Sequence, residues 1–124
     1  MRSLLPFQLD RWFSEAFRQS ETAVIDGLKQ IFEANDIGCY QATCLMLGDA
    51  DLRGALRDYR NPVAVIVGEE DYATTVAMSQ SLHEAIPGST LTVIQGGRHL
   101  TPVQCPREIA SFLRDLACRV ETRA

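Results

Sequence analysis

Lysine is nearly missing from this chain. Lys29 is the sole example, and arginine supplies the rest of the positive charge. With 12 basic against 16 acidic side chains, the formal net charge is −4 and the isoelectric point is near 5.1. A surface built to neutralise a nucleic-acid backbone is therefore not expected. Long apolar runs are absent too, so no bilayer span is expected. The opening stretch, MRSLLPFQLD, lacks an extended apolar region and meets an acid at Asp10, which argues against a secretory signal. Cysteine is sparse and scattered. Cys39, Cys44, Cys105 and Cys118 fit neither zinc-ligand spacing nor a C-x-x-C redox pair. They read as mostly buried thiols in a reducing cytoplasm. Neither G-x-G-x-x-G nor G-x-x-x-x-G-K-[ST] occurs, which removes the usual phosphate-cradling loops.

What is present is an ordinary globular composition for one small domain of 124 residues, 46% hydrophobic and 23% charged. Its patterning changes near Asn61-Pro62. Upstream, Val24, Ile25, Leu28, Ile31 and Phe32 recur at helical spacing. Ser20 is a candidate cap for that helix, with Glu21 in its first turn. Ile37, Tyr40, Cys44 and Leu47 predict a second helix. Shorter ones are expected over 9–18 and 49–57, and nothing in residues 1–60 reads as a strand.

Downstream, Val63-Ala64-Val65-Ile66-Val67 runs unbroken to Gly68 and predicts a strand over 62–67, buried on both faces. A helix follows over 74–86. Thr74 or Thr75 is its cap, Val76, Ser79, Leu82 and Ile86 form its inner face, and Pro87-Gly88 stops it. Leu91 to Ile94 forms a second strand ended by Gly96-Gly97. Pro106 opens a last helix whose buried stripe is Ile109, Phe112, Leu113 and Leu116. Two strands joined through a helix are almost always parallel, with a right-handed crossover. The fold class is thus α/β, with a helical region over 1–60 and a β-α-β-α unit over 61–124.

Parallel strands end on one edge of their sheet, where α/β proteins place their sites. Gly68-Glu69-Glu70-Asp71 leaves the first strand and Gly96-Gly97-Arg98-His99 leaves the second. Neighbouring strands lie about 4.8 Å apart. An acid and an imidazole leaving them reach hydrogen-bonding distance, which is the orienting half of a nucleophile–histidine–acid triad. Glu69 and Glu70 are alternatives for the acid. His83, in mid-helix beside Leu82, reads as a surface residue.

The stretch PVAVIVGEEDYATTVAMSQSLHEAIPGSTLTVIQGGRHLTPVQCPREIASFLRDL, Pro62 to Leu116, resembles the end of the α/β-hydrolase fold. That family shows a strand, a G-x-x-D turn, a Thr-rich helix start, an I-P-G turn, a second strand, a G-x-x-H turn and a closing helix. The resemblance covers about half the chain. It implies that Asp71 is the triad acid and His99 the catalytic base. RWFSEAF (Arg11 to Phe17) and ANDIGCYQATCLMLGDADLRGAL (Ala34 to Leu56) look like the helical cap of 3-oxoadipate enol-lactonases, which hydrolyse a small anionic lactone in aromatic degradation. Related esterases, C–C hydrolases and haloperoxidase-like enzymes share parts of this cap. By that resemblance residues 1–60 are a cap, and Trp12 lines the substrate pocket. The alternative is that Trp12, Phe13 and Phe17 only pack cap against core. Arg11 and Arg53 are candidates to meet a substrate carboxylate. No metal or organic cofactor is implied.

The family's nucleophile sits in a G-x-S-x-G elbow, and no serine here lies between glycines at that spacing. The resemblance therefore implies a C-terminal half that supplies acid and histidine but not serine. Two strands alone are marginal in water, and the 62–67 strand has an apolar edge. The expected partner is a complementary N-terminal half, or a second copy joined through that edge, with a small ester or lactone as substrate. The alternatives are an inactive hydrolase-fold remnant acting as a binding or assembly module, and a truncation product without its own function.

Overall fold

The computed structural model describes residues 1–121; the last three positions of the expected 61–124 unit lie outside the described residues. A turn of 3-10 helix, Arg2–Leu4, leads into α1 (Leu5–Trp12), followed by α2 (Glu15–Ser20), α3 (Thr22–Glu33) and α4 (Ile37–Asp49). A second 3-10 segment, Arg53–Asp58, precedes β1 (Ala64–Gly68). Then come α5 (Val76–Ala85), β2 (Thr90–Ile94), a single-turn α6 (Thr101–Gln104) and α7 (Pro106–Glu121). The strands pair in parallel, with Ala64 opposite Thr90 and Gly68 opposite Ile94. This α/β order is the one the sequence predicts.

The helix expected over 9–18 is two helices. Phe13 is extended (φ −136°, ψ 146°), and Ser14 (φ −62°, ψ 155°) caps α2 by accepting from the Phe17 N–H. The break has a packing reason: Phe13 is 0% exposed, and its ring stacks on Phe17 with centroids 5.1 Å apart. Ser20 is not a cap, because it ends α2 while α3 begins after Glu21 without a side-chain cap. On α3 only Ile25 and Phe32 are buried, whereas Val24 and Ile31 are exposed. The short helix expected over 49–57 is the 3-10 segment, and α4 itself runs on to Asp49.

The first strand begins two residues later than expected, at Ala64. Val65 and Val67 are buried, while Ala64 and Ile66 on the opposite face are half-covered, so it is not sealed on both faces. Thr75 caps α5 by accepting from the Met78 N–H. The inner face of α5 is shallow, with Leu82 exposed and burial reached only at Ile86, just past its end. On α7 Leu113 is exposed, although Ile109, Phe112 and Leu116 are half-buried as a stripe. The cysteines are not mostly buried: Cys39, Cys44 and Cys118 are exposed and Cys105 is intermediate. His83 is not a plain surface residue. Its Nδ1 lies 2.7 Å from Ser89 Oγ, a hydroxyl that itself donates to the His83 carbonyl. Among the described residues, no helix is long and apolar enough to cross a membrane.

Candidate active site

The two strands deliver their turns to one edge, and the turns continue to pair after the strands end. Glu69 N–H donates to the Ile94 carbonyl at 2.8 Å, and Glu70 N–H donates to the Gly97 carbonyl at 2.9 Å. Glycine at 68 makes this approach possible. A Cβ there would overlap the Gly97 carbonyl and come within 2.7 Å of the Arg98 oxygen. Gly96 turns the chain with φ +64°, a conformation that other residues seldom adopt.

The result is a direct contact. His99 Nδ1 lies 2.9 Å from Asp71 Oδ2. The carboxylate side chain is 4% exposed and the imidazole 26%, so the acid is sealed while the ring keeps an open side. Every acceptor direction of the carboxylate is used. Oδ1 accepts from the N–H groups of Ala73 (2.8 Å) and Thr74 (3.0 Å), and Oδ2 accepts from the Thr74 hydroxyl (2.8 Å) as well as from His99. An ionised carboxylate is acceptor-only, so Nδ1 donates to it, and in the neutral form of the ring Nε2 is the acceptor. Burial alone would raise the Asp71 carboxyl. The hydrogen bonds from Thr74, His99 and Ala73 outweigh it and hold the group below the usual carboxylate range.

Glu69 and Glu70 are occupied elsewhere. Glu69 Oε2 accepts from the Gly96 N–H at 3.0 Å, and Glu70 pairs with Arg98 at 3.3 Å. Of the three acids in the loop, Asp71 is the one brought to His99. Trp12 ends α1 beside the same turn, where its carbonyl accepts from the Leu100 N–H at 3.1 Å. Its ring meets Phe32 edge-on with centroids 5.2 Å apart. The Arg98 guanidinium donates to the Asp10 carbonyl and stands over the Tyr72 ring at 5.8 Å. Arg53 is taken by Asp51 at 2.7 Å, whereas the buried Nε of Arg11 has no hydrogen-bond partner among the described residues.

Sequence reasoning treated Thr74 only as a possible helix cap, a role that Thr75 fills. Thr74 instead binds the acid, a role its place three residues after an Asp in a turn would have suggested. Gln104, whose amide touches the His99 turn, carried no sequence signal.

The sheet edge, the paired turns and the acid–imidazole contact define the chain as a partial α/β-hydrolase fold. More particularly, the chain is homologous to 3-oxoadipate enol-lactonase and corresponds to a C-terminal half. It is 34% identical to 3-oxoadipate enol-lactonase 2 of Acinetobacter baylyi over 97 residues, covering 78% of this chain and 36% of that protein. It is 36% identical to the putative carbamate hydrolase RutD of Cronobacter turicensis over 67 residues, covering 54% of this chain and 25% of that one. The crystal structure of the enol-lactonase from Burkholderia xenovorans superposes with a TM-score of 0.91 at 25% identity, covering 95% of this chain and 45% of that one. The chain thus spans less than half the length of these relatives. No protein-family model matches it.

Proposed function

We propose that this chain is the acid–base half of a serine hydrolase acting on a carboxylic ester or lactone, of the 3-oxoadipate enol-lactonase kind. The observation that carries this reading is the 2.9 Å contact between a sealed, fully hydrogen-bonded carboxylate and an imidazole open on its other side. A serine in an N-terminal half, covalently continuous with this chain or separate from it, attacks the acyl carbon. Its proton passes to His99 Nε2, and Asp71 stabilises the imidazolium. The tetrahedral intermediate then collapses, His99 returns the proton to the leaving oxygen, and the acyl group stays on serine. Water activated by His99 releases the acid and restores the serine. In a lactone the leaving oxygen belongs to the same molecule, so one ring-opened product results. The donors that stabilise the oxyanion belong to the half outside this sequence.

Trp12 is assigned to the pocket wall because its backbone is hydrogen-bonded to Leu100, next to His99. Of the two arginines, Arg11 is the proposed contact for a substrate carboxylate, because Arg53 already holds Asp51. The N-terminal half is the proposed partner, and the free edge of β1 its docking line. Self-association through that edge is the competing partnership, and an inactive assembly module the competing role.

Mixing this chain with a purified N-terminal half bearing the serine elbow, and assaying p-nitrophenyl acetate and an enol-lactone, tests the reading. Turnover is expected only in the mixture and is expected to vanish with His99→Ala. A stable but inactive complex would favour the assembly role, and His99-dependent turnover by this chain alone would sink the proposal.

A further inference from the structure

The last residue of α6 ties the turn that carries His99 to the break between α1 and α2. Gln104 uses its whole side-chain amide. Nε2 donates to the Gly96 carbonyl at 2.9 Å and to Ser14 Oγ at 3.2 Å. Oε1 accepts from the Arg98 N–H at 3.3 Å and from the Ser14 N–H at 3.4 Å. Two donors and two acceptor lone pairs are all that a carboxamide offers, and all four directions are used. The partners fall in two groups. Gly96 and Arg98 belong to the turn that carries His99, and Arg98 is its immediate neighbour. Ser14 sits at the break between α1 and α2, close after Trp12, and caps α2. The short helix α6 makes this geometry: its first turn contains Pro102, and the Cys105 N–H closes it on the Thr101 carbonyl at 2.7 Å. One turn is enough to send the Gln104 side chain back over the loop it came from.

We propose that Gln104 is a positioning residue: its amide locks the Gly96–Arg98 turn to the α1–α2 break, and so fixes the His99 ring on Asp71 and in register with Trp12. Its catalytic meaning rests on the function proposed above, but the geometric claim is testable on this chain alone. A side chain that only filled space would be replaceable by methionine, which matches glutamine in length and lacks its hydrogen bonds. A positioning amide would not be replaceable in that way.

The test is nuclear magnetic resonance on the histidine-labelled chain, reading exchange of the His99 Nδ1 proton with water. His83 serves as internal control, since its Nδ1 is held by Ser89, away from Gln104. With Gln104→Met the His99 proton is expected to exchange about tenfold faster, the scale of losing one net hydrogen bond, while the His83 proton is unchanged. Ser14→Ala, which removes the Oγ contact with Gln104 together with the side-chain cap of α2 but keeps the Ser14 N–H bond to Oε1, is expected to move His99 in the same direction and by less, and it decides the matter if the methionine variant does not fold. In the complex with an N-terminal half, Gln104→Met is expected to lower kcat about tenfold with KM unchanged within twofold. Folded variants whose His99 exchange stays within twofold of the unsubstituted chain would overturn the proposal. A His99 proton unprotected even before substitution would instead overturn the acid–base reading itself.

Discussion

Asp71 is buried with charge, and what permits this is the number of donors aimed at it. Two backbone N–H groups, a hydroxyl and an imidazole N–H converge on its two oxygens. Charge-assisted bonds of this kind are the strong ones. The fold therefore holds the carboxyl below the usual value near 3.9, and the sign of the pH dependence follows. A lowered folded value means that the native state favours the ionised form. The stabilisation is complete above the unfolded value and is lost as pH falls through the folded one. An Asp71→Asn chain is expected to be less stable than its parent at pH 6, with the gap closing as the pH is lowered below about 4, as denaturant midpoints would show. Thr74→Val removes the hydroxyl from Oδ2 and sets a methyl against a buried charge. It is expected to cost about 1.5–3 kcal/mol, read by urea unfolding at neutral pH. That an acid and His99 meet at the sheet edge was legible from the glycine turns after the two strands, whereas the choice of Asp71 over Glu69 and Glu70 came from the family resemblance. The role of Thr74 was legible only as a local pattern, an Asp followed by a hydroxyl residue three positions on in a turn, and a helix cap competed for the same threonine. The cysteines were misread because thiols usually enter cores, while α4 and the outer face of α7 leave Cys39, Cys44 and Cys118 exposed.

Among elements, the decisive joint is the close pairing of the two turns beyond the strands. Gly68→Ala puts a Cβ against the Gly97 carbonyl, and backbone on both sides must shift. The expected cost is about 1–3 kcal/mol, with loss of the Asp71–His99 contact visible as a weakened His99 Nδ1 proton signal. An unchanged signal and midpoint would contradict the close approach. The second joint is Phe13, which anchors the break between α1 and α2. Phe13→Ala is expected to cost about 3–5 kcal/mol by denaturant titration. The strands and the last helix could be read from their periodicity. The break could not: apolar residues on both sides of Phe13 continue a helical rhythm, and only the depth of its burial interrupts it. The stripe over Val24 to Phe32 was overread for a related reason. Periodicity marks an apolar face, but covering that face takes a neighbouring element, and Val24 and Ile31 have none.

The molecule as a whole shows much apolar surface. On α4 Leu45, Met46 and Leu47 are 71%, 61% and 64% exposed, and Leu52 follows at 75%. Among the described residues no strand pairs the second edge of β1. The Val63 carbonyl and the Glu69 N–H point to β2, so by the alternation of a parallel ladder Ala64 and Ile66 present their backbone groups on the free edge. Ile66→Pro would blunt that edge without breaking the bonds to β2. It is expected to abolish association with an N-terminal half, measured by sedimentation, while leaving the His99 signal in place; association at full strength would refute docking along β1.

The proposed function turns on one step, in which His99, oriented by Asp71, takes the proton of a serine contributed from outside this sequence. Labelling that serine with a fluorophosphonate in the reconstituted complex reads the step directly, because the probe reacts only with an activated hydroxyl. Labelling is expected to slow about a thousandfold or more with His99→Ala in a complex that still forms. Equal labelling rates with and without the imidazole would contradict it.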